Sequence, residues 1–396
     1  MVIRLDSPQP VYSLPSFDIP DEEEDVPTPG VPPSLIGPLE LPEIVLGAAA
    51  LSTIYNKESH LLGFVPVRTV RLALRYGITT FDTSPYYGES ELVLGTALKA
   101  LELDFPRSSY KLMTKVGRYG RTRADFDYSP ATIRASVERS MSRLHTTYLD
   151  TVYLHDVEYV ATQVGPREAG SSMVALGEGK AEYGLVEGDE GKVWGEGDQR
   201  ILGALAELQK MKDEGIVKSI GITGYPLPTL LRLALLVLHT PPYKPLDVLL
   251  SYCHSTLQND AFTAFVPLFR ERARVSQLLT ASPLCMGLLT PTPPKWHPAP
   301  PELLKAVKQA NVVCGEWEGG LPNVAIGYGY RTASRMSMPV VVGLSNPREV
   351  HENIQVWRAI KEGKNDNARV VQEKEVSKVF SDFVNWSWAS PPSDLL

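Results

Sequence analysis

Four side chains in this sequence, Asp82, Tyr87, Lys115 and His155, are of the types that proton transfer requires. Asp82, Lys115 and His155 each end an apolar, strand-like segment, and Tyr87 follows Asp82 by five positions. A free tyrosine has a pKa near ~10, and a neighbouring ammonium lowers that pKa because it favours the phenolate. A carboxylate would hold the ammonium charged, and a histidine could orient a substrate oxygen. We therefore predict a proton-transfer site; the alternative is that Asp82 caps a turn and Tyr87 only packs beside it.

The segments that carry these residues alternate between strand-like and helical patterns. The stretch from Phe81 to Gly95 runs from a strand end through a polar loop into a helix, and similar repeats follow along the chain. Eight such repeats predict an α/β fold, a (β/α)8 TIM barrel, in which all strand C-terminal ends lie on one face. A doubly wound sheet is the alternative, but no G-x-G-x-x-G motif follows the first strand.

Three segments interrupt or flank this alternation. Residues 1–42 contain ten prolines and the acidic run 21–25, which predicts a flexible or extended arm before a barrel over 43–361. Residues 161–197 hold nine glycines and lack periodicity, so we expect an inserted loop after strand 4. We expect this loop to be disordered; the alternative is a lid over the substrate. Residues 362–396 form a tail whose tryptophans, Trp386 and Trp388, are expected to dock on the barrel surface.

Composition narrows the classes of partner. The net charge is -7 with a pI near 5.6, which argues against nucleic acid or an anionic membrane as partner. No apolar run approaches the ~20 residues of a membrane span, and residues 1–10 lack the apolar core of a secretory signal. Three scattered cysteines predict neither a disulfide framework nor a metal site. We expect a cytoplasmic monomer or homodimer that acts on a small molecule.

The sequence resembles the aldo-keto reductase family over roughly residues 46–360. The resemblance is carried by DTSPYYGESELVLG, LMTKVGRYG and DTVYLHDVE, which contain the four residues named above, and by segments 220–226, 250–254, 281–289 and 294–298. Within the family the chain is most similar to dehydrogenases that oxidise C1 of an aldose, such as D-arabinose or L-galactose, to a lactone. The resemblance implies that Tyr87 is the general base, assisted by Lys115 and Asp82, and that His155 orients the sugar.

The resemblance also implies a nicotinamide cofactor bound across the barrel mouth. The positions that match the family's cofactor contacts are Thr223, Ser251, Ser282, Leu284, Gly287, Gly343, Ser345, Arg348, Glu349, Glu352 and Asn353. Members that use NADP have a lysine and an arginine where this chain has Gly343 and Glu349, so we expect NAD, although Arg348 could reach a 2′-phosphate after a small shift. Two departures from the family pattern, Thr223-Gly224 and Ala281, leave the nicotinamide contacts less defined.

Substrate contacts are expected from loops at the same rim, where Tyr86, Asp156, His254 and Trp296 could contact sugar hydroxyls or stack on the ring. Two other functions remain open. One is an NADPH-dependent reductase of small aldehydes or ketones that uses the same four residues in reverse. The other is a nicotinamide-binding regulatory subunit, which would show low turnover and tight association with a membrane protein.

Overall fold

The computed structural model describes residues 10–16, 18–166, 168–392 and 395. Eight parallel strands form a closed barrel in chain order, with the last strand paired back to the first. They are β1 (Ile44–Gly47), β2 (Thr80–Asp82), β3 (Lys111–Val116), β4 (Leu149–Leu154), β5 (Val217–Gly224), β6 (Val248–Tyr252), β7 (Gln277–Ala281) and β8 (Val340–Gly343). The predicted (β/α)8 barrel is confirmed.

Helices surround this barrel and return the chain from each strand to the next. They are α1 (Val65–Arg75), α2 (Ser90–Ala100), α3 (Pro130–Arg143), α4 (Glu196–Asp213), α5 (Leu227–Leu238), α6 (Phe262–Pro267), α7 (Pro301–Val313), α8 (Gly320–Arg335), α9 (Pro347–Glu362) and α10 (Asp366–Val379). Several begin as their sequences predict: α3, α7 and α9 each have proline at the first positions, where its missing N–H costs nothing. None of the described helices has the length and hydropathy to cross a membrane.

The barrel interior is packed rather than open. Val45, Met113, Tyr153 and Leu279 point into it and are fully buried, and Leu41 joins their cluster. Leu41 belongs to a two-stranded antiparallel hairpin, Leu35–Ile36 with Leu41–Pro42, that directly precedes β1. The hairpin therefore closes the barrel at the N-terminal ends of the strands and leaves the mouth at their C-terminal ends.

The arm before the barrel is extended and fixed by charge. The carboxylate of Asp25 is fully buried and accepts hydrogen bonds from Arg68 Nε at 2.9 Å and Arg71 Nη2 at 3.1 Å. Arg75 adds a pair with Asp21 at 2.7 Å. The acidic run is thus the segment that docks the arm on α1, because opposite charges meet where two of the arginines are already shielded from water.

The inserted segment is ordered over its described residues, so the expectation of disorder is wrong there. Its ends are tied by the buried carboxylate of Asp198, which pairs with Arg232 of α5 at 2.7 and 2.9 Å. A short strand in it, Gly170–Ser171, pairs antiparallel with Trp386–Ser387 of the tail. The tail also begins with α10, which the sequence reading missed. The insertion and the tail therefore lie together on the mouth side of the barrel.

Candidate active site

The acid and the lysine predicted for proton transfer meet at the ends of neighbouring strands. Asp82 closes β2 and Lys115 lies in β3, and their side chains are 5% and 2% exposed. Lys115 Nζ donates to Asp82 Oδ1 and, at 3.0 Å, to the carbonyl oxygen of Thr83. Burial raises the pKa of Asp82 and the Lys115 ammonium opposes that rise. The two charges form a compact pair that holds the ammonium in one place.

The tyrosine and the histidine face this pair. Lys115 Nζ lies 4.8 Å from the centre of the Tyr87 ring, and the rings of Tyr87 and His155 meet edge-on with centroids 5.6 Å apart. Tyr86 also touches His155, at 5.7 Å between centroids. The structure therefore brings Asp82, Tyr87, Lys115 and His155 into one cluster at the barrel mouth.

The protonation of Tyr87 differs from the sequence-based expectation. Burial raises the pKa of Tyr87 well above its usual value, and the carboxylates of Asp82 and Asp156 raise it further, while Arg118 lowers it. The cation with the main lowering effect on this pKa is Arg118 rather than the predicted Lys115. The expected lowering by the ammonium alone is thus outweighed, and the phenol keeps its proton in this state of the protein.

His155 is neutral and held from both sides. Burial lowers the pKa of His155 well below its usual value, and the charges of Lys115 and Arg118 lower it further. Its Nδ1 lies 2.9 Å from Ser84 Oγ, and its backbone carbonyl accepts from the Tyr128 hydroxyl at 2.6 Å. Its other nitrogen, Nε2, lies 3.7 Å from Asp156 Oδ2. The Tyr128 hydroxyl therefore fixes the backbone of His155, and the Ser84 hydroxyl fixes its ring.

Arg118 is a member of the site that the sequence reading missed, although it follows Lys115 by three positions. Its guanidinium is paired with Asp156, and it lies 3.7 Å from the centre of the Tyr86 ring. The rings of Phe126 and Tyr159, which stack on each other at 4.4 Å, complete this shell. Burial raises the pKa of Asp156 against the opposing charge of Arg118. Position just beyond a strand end was the signal that could have found Arg118.

The residues expected near the adenosine end of a cofactor surround the start of α9. Asn346 caps that helix by accepting from the backbone N–H of Glu349 at 3.0 Å. The Glu349 carboxylate accepts from the backbone N–H of Ser345 at 2.7 Å and from its hydroxyl at 3.0 Å. Arg348 and Glu352 are exposed and paired with each other at 2.8 Å. A carboxylate therefore stands at the helix start.

Two further residues predicted to contact the cofactor at this end, Gly343 and Asn353, differ in their exposure. Gly343 ends β8 and is exposed at the mouth. Asn353 is buried, and its side chain is engaged at both ends: its carbonyl accepts from the Tyr330 hydroxyl at 3.0 Å and its amide donates to the Glu349 carbonyl at 2.9 Å. In this conformation the Asn353 side chain supports the helix rather than offering a free group.

The loop after β7 is a tight turn with unusual backbone conformations. Ser282, Cys285, Met286 and Gly287 all have positive φ, of 59°, 50°, 52° and 87°. The backbone N–H groups of Ser282, Cys285 and Gly287 donate to the carbonyl oxygens of Val341, Ser282 and Leu284 at 3.0, 2.8 and 3.1 Å. Leu284 lies in the same turn and is partly exposed. In this conformation the turn holds itself together, and its contact with a cofactor stays a prediction.

On the opposite side of the mouth, the residues of β5 and β6 that the sequence predicts to contact the cofactor are buried. Thr223 is 1% exposed, and Ser251 is fully buried with its hydroxyl 3.1 Å from His254 Nδ1. His254 also contacts the Ser387 hydroxyl through Nε2 at 3.3 Å. Burial lowers the pKa of His254 to about 3. Both nitrogens of this neutral ring therefore have partners in this conformation, while the residue also lines the pocket between the insertion and the tail. Its contact with a substrate stays a prediction.

The other three residues predicted to contact the substrate, Tyr86, Asp156 and Trp296, lie at the opening of the barrel. Tyr86 and Asp156 border His155 as described, and Trp296 is 42% exposed. Trp296 meets the ring of Tyr55 edge-on at 5.7 Å. Tyr55 is 43% exposed, and partial burial followed by the charge of Tyr87 raises its pKa. Tyr55 is thus a second residue that the sequence reading missed, and nothing in its local pattern singled it out.

A pocket of about 260 Å³ lies where the insertion and the tail meet, and none of the four proton-transfer residues lines it. Glu158, two residues after Asp156, lines it, and Trp388 stacks on Tyr225 at 3.9 Å along its wall. Glu158 Oε1 accepts from Ser390 Oγ at 2.7 Å. Burial, together with the charge of Asp156, raises the pKa of Glu158 to about 8. The tail tryptophan therefore docks at the mouth, as a wall of this pocket.

Comparisons with known proteins agree with this fold. The chain is 32% identical to D-arabinose 1-dehydrogenase of Saccharomyces cerevisiae over 364 residues, which is 90% of this chain and 96% of that protein. It is 32% identical to L-galactose dehydrogenase of Arabidopsis thaliana over 355 residues, or 89% and 94% of the two chains. The structure of a glycerol dehydrogenase of Gluconobacter oxydans covers 89% of this chain and 96% of its own, with a TM-score of 0.54 at 19% identity, and supports the fold alone.

The family itself is defined by a match over most of the barrel. The profile of the Aldo/keto reductase family matches residues 43–372, which include all eight strands and the four residues of the proton-transfer cluster. On this match, and on relatives 32% identical over about nine tenths of its length, the chain belongs to the aldo-keto reductase family.

Proposed function

We propose that this enzyme oxidises C1 of an aldose, D-arabinose or a related sugar such as L-galactose, to the aldonolactone with NAD as hydride acceptor. The observation that carries the proposal is the buried Lys115 ammonium, which pairs with the Asp82 carboxylate and lies 4.8 Å from the centre of the Tyr87 ring, which in turn contacts His155. This is a site for moving one proton from a substrate hydroxyl. Two relatives that align with nearly the whole chain are named as dehydrogenases of these sugars.

The residues of the mouth fit a dinucleotide. The start of α9 presents backbone N–H groups that can receive phosphate charge near the exposed Gly343, and the turn from Ser282 to Gly287 borders the same rim after β7. When bound, an oxidised nicotinamide would supply the hydride acceptor. These residues would hold the group, and the chain's own side chains would do the rest.

The choice of NAD rests on Glu349. Its carboxylate is held by the Ser345 N–H and hydroxyl at the helix start, where it would repel a 2′-phosphate but can accept a hydrogen bond from a ribose 2′-hydroxyl. Arg348 points to solvent and is already paired with Glu352. The fixed group at this position is therefore negative.

Proton transfer belongs to Tyr87. Its phenol keeps its proton in the free protein because burial and the nearby carboxylates raise its pKa. In the proposed reaction Tyr87 is the general base that takes the proton of the anomeric hydroxyl, and positive charge near the phenol would favour its ionised form. The neutral imidazole of His155 holds the same oxygen, and Asp156, Tyr86 and Trp296 border the space for the remaining hydroxyls.

The test is initial rates with D-arabinose and L-galactose, each with NAD and with NADP, followed by the absorbance of the reduced cofactor. Tyr87→Phe should abolish turnover, while Tyr243→Phe, which removes the hydroxyl of a tyrosine that is 65% exposed, should leave it unchanged. Turnover of small aldehydes with NADPH but of neither sugar would instead establish the reductase. Nicotinamide binding without any turnover would favour the regulatory function.

A further inference from the structure

We infer that Ser84 is a positioning residue that fixes His155 as the tautomer with its proton on Nε2. Ser84 lies two residues after Asp82 and is fully buried. Its Oγ is 2.9 Å from His155 Nδ1, a contact in which either atom could be the donor. The inference rests on the proposed function for its consequence, because Nε2 is the nitrogen left to contact a substrate oxygen.

The direction of this hydrogen bond follows from a second contact of the same hydroxyl. The backbone N–H of Tyr86 donates to Ser84 Oγ at 3.1 Å. If His155 Nδ1 also carried a proton, the Ser84 oxygen would accept twice and its own buried proton would be left without an acceptor, which is costly. If Ser84 instead donates to Nδ1, the Tyr86 N–H and the Ser84 O–H each have an acceptor.

The other side of the ring leads to the same tautomer. Nε2 lies 3.7 Å from Asp156 Oδ2. A bare Nε2 would turn its lone pair toward this carboxylate oxygen, whereas an N–H would turn its positive end toward it. A doubly protonated ring is disfavoured, because the site is buried and already contains Lys115 and Arg118.

The tautomer decides what His155 can do in the reaction. With Nε2–H the ring donates to the anomeric oxygen as negative charge develops there during proton removal by Tyr87. With the other tautomer Nε2 could only accept, and it would repel that oxygen. The Ser84 hydroxyl contacts His155 and the backbone N–H of Tyr86, and has no hydrogen bond to the phenol of Tyr87. We therefore expect its effect on the reaction to pass through His155, and the tautomer separates that effect from a shift of the loop.

The experiment measures the tautomer directly and the rate separately. Long-range 15N–1H correlation spectra of protein labelled on histidine nitrogens distinguish protonated from bare Nδ1 and Nε2, and a His155→Gln sample assigns the signals of that ring among seven histidines. The wild type should show Nε2–H only. Ser84→Ala should show a mixture or the Nδ1–H form, and Ser84→Thr, which keeps the hydroxyl, should restore Nε2–H.

Kinetics with the preferred aldose should follow the spectra. Ser84→Ala should lower kcat about tenfold or more with KM changed less than about threefold, and Ser84→Thr should recover most of the loss. Ser140→Ala, which removes a fully buried serine hydroxyl on the outer helix α3, should change neither the tautomer nor kcat.

The outcomes separate this inference from the proposed function. A bare Nε2 in the wild type, or Nε2–H retained in Ser84→Ala, overturns the role of Ser84 whatever the substrate is. The wild-type spectrum decides even if Ser84→Ala fails to fold. Absence of sugar turnover in the wild type overturns the proposed function, while the spectra still report on the tautomer.

Discussion

The buried pair between Arg232 and Asp198 is what we expect to hold the insertion on the barrel. The Asp198 carboxylate is fully buried and Arg232 is 3% exposed. Two hydrogen bonds of 2.7 and 2.9 Å join them, and the carboxylate also accepts from the backbone N–H groups of Trp194 at 3.0 Å and Thr162 at 3.1 Å. Arg232→Met keeps most of the side-chain volume but leaves this carboxylate buried without its counter-charge.

The magnitude is set by two limits. Removing one partner of a buried ion pair costs about 3–5 kcal/mol, because the remaining charge stays out of water. The variant can instead take up a proton on the carboxyl, which for an unfolded pKa near ~3.9 costs about 4 kcal/mol at pH 7 and about 1.5 kcal/mol at pH 5. We therefore expect the free energy of unfolding to fall by about 3–4 kcal/mol at pH 7 and by less than half of that at pH 5.

Urea unfolding followed by circular dichroism at both pH values measures this difference. Arg200→Met is the matched control, because Arg200 pairs with Glu196 on the surface of α4, where both side chains are more than 60% exposed. The control should change the free energy of unfolding by less than ~1 kcal/mol. The reasoning fails if Arg232→Met is as stable as the control at pH 7, or if its loss is the same at pH 5.

Three other changes test the site. Lys115→Met should lower kcat at least ~100-fold and leave nicotinamide binding intact, since it removes the ammonium that faces Tyr87 and neutralises Asp82. Steady-state rates measure kcat and fluorescence titration measures cofactor binding; an unchanged kcat would exclude a role of Lys115 in proton transfer. Glu349→Lys should shift the ratio of kcat/KM for NADP over NAD upward by at least ~10-fold, because a cation replaces the carboxylate at the helix start; a constant ratio would place the 2′-position elsewhere. The pKa of Glu158 in the folded protein, about 8, lies above its value in the unfolded chain, so its protonated form stabilises the fold at low pH and that contribution is lost as pH rises from ~4.5 toward 8. Glu158→Gln should therefore gain stability relative to the wild type across this window, by up to about 1.4 kcal/mol per pH unit. Parallel curves of Tm against pH for the two proteins would contradict this.

The barrel was predictable because its strands and helices obey local rules. The fully buried apolar runs ending at Asp82, Lys115 and His155 have the pattern of strands covered on both faces, and prolines mark several helix starts. The helix Asp366–Val379 was missed because its sequence offers a weak apolar face. The order of the insertion was missed because it depends on one carboxylate, Asp198, that finds Arg232 on a different helix; no spacing rule encodes that contact.

The cluster of four proton-transfer residues was predictable for the same reason, since strand ends of a parallel barrel share one face. Its electrostatics were not, because they depend on residues that come close only in the fold. Asp156 adopts a left-handed conformation, with φ of 52°, directly after His155, and its carboxylate pairs with Arg118. Tyr252 at the end of β6 also hydrogen-bonds this carboxylate.

The balance of charge in the mouth bears on the order of events in the proposed reaction. Two carboxylates, Asp82 and Asp156, are each paired with one cation, and Glu158 is mostly neutral at pH 7 with its pKa of about 8. The free site therefore carries no net charge, and burial keeps the Tyr87 phenol protonated. An added positive charge near the phenol would favour the phenolate, and an oxidised nicotinamide bound at the mouth would supply one. Tyr87 should then lose its proton only after the cofactor has bound, so that the sugar meets a base only when a hydride acceptor is already in place.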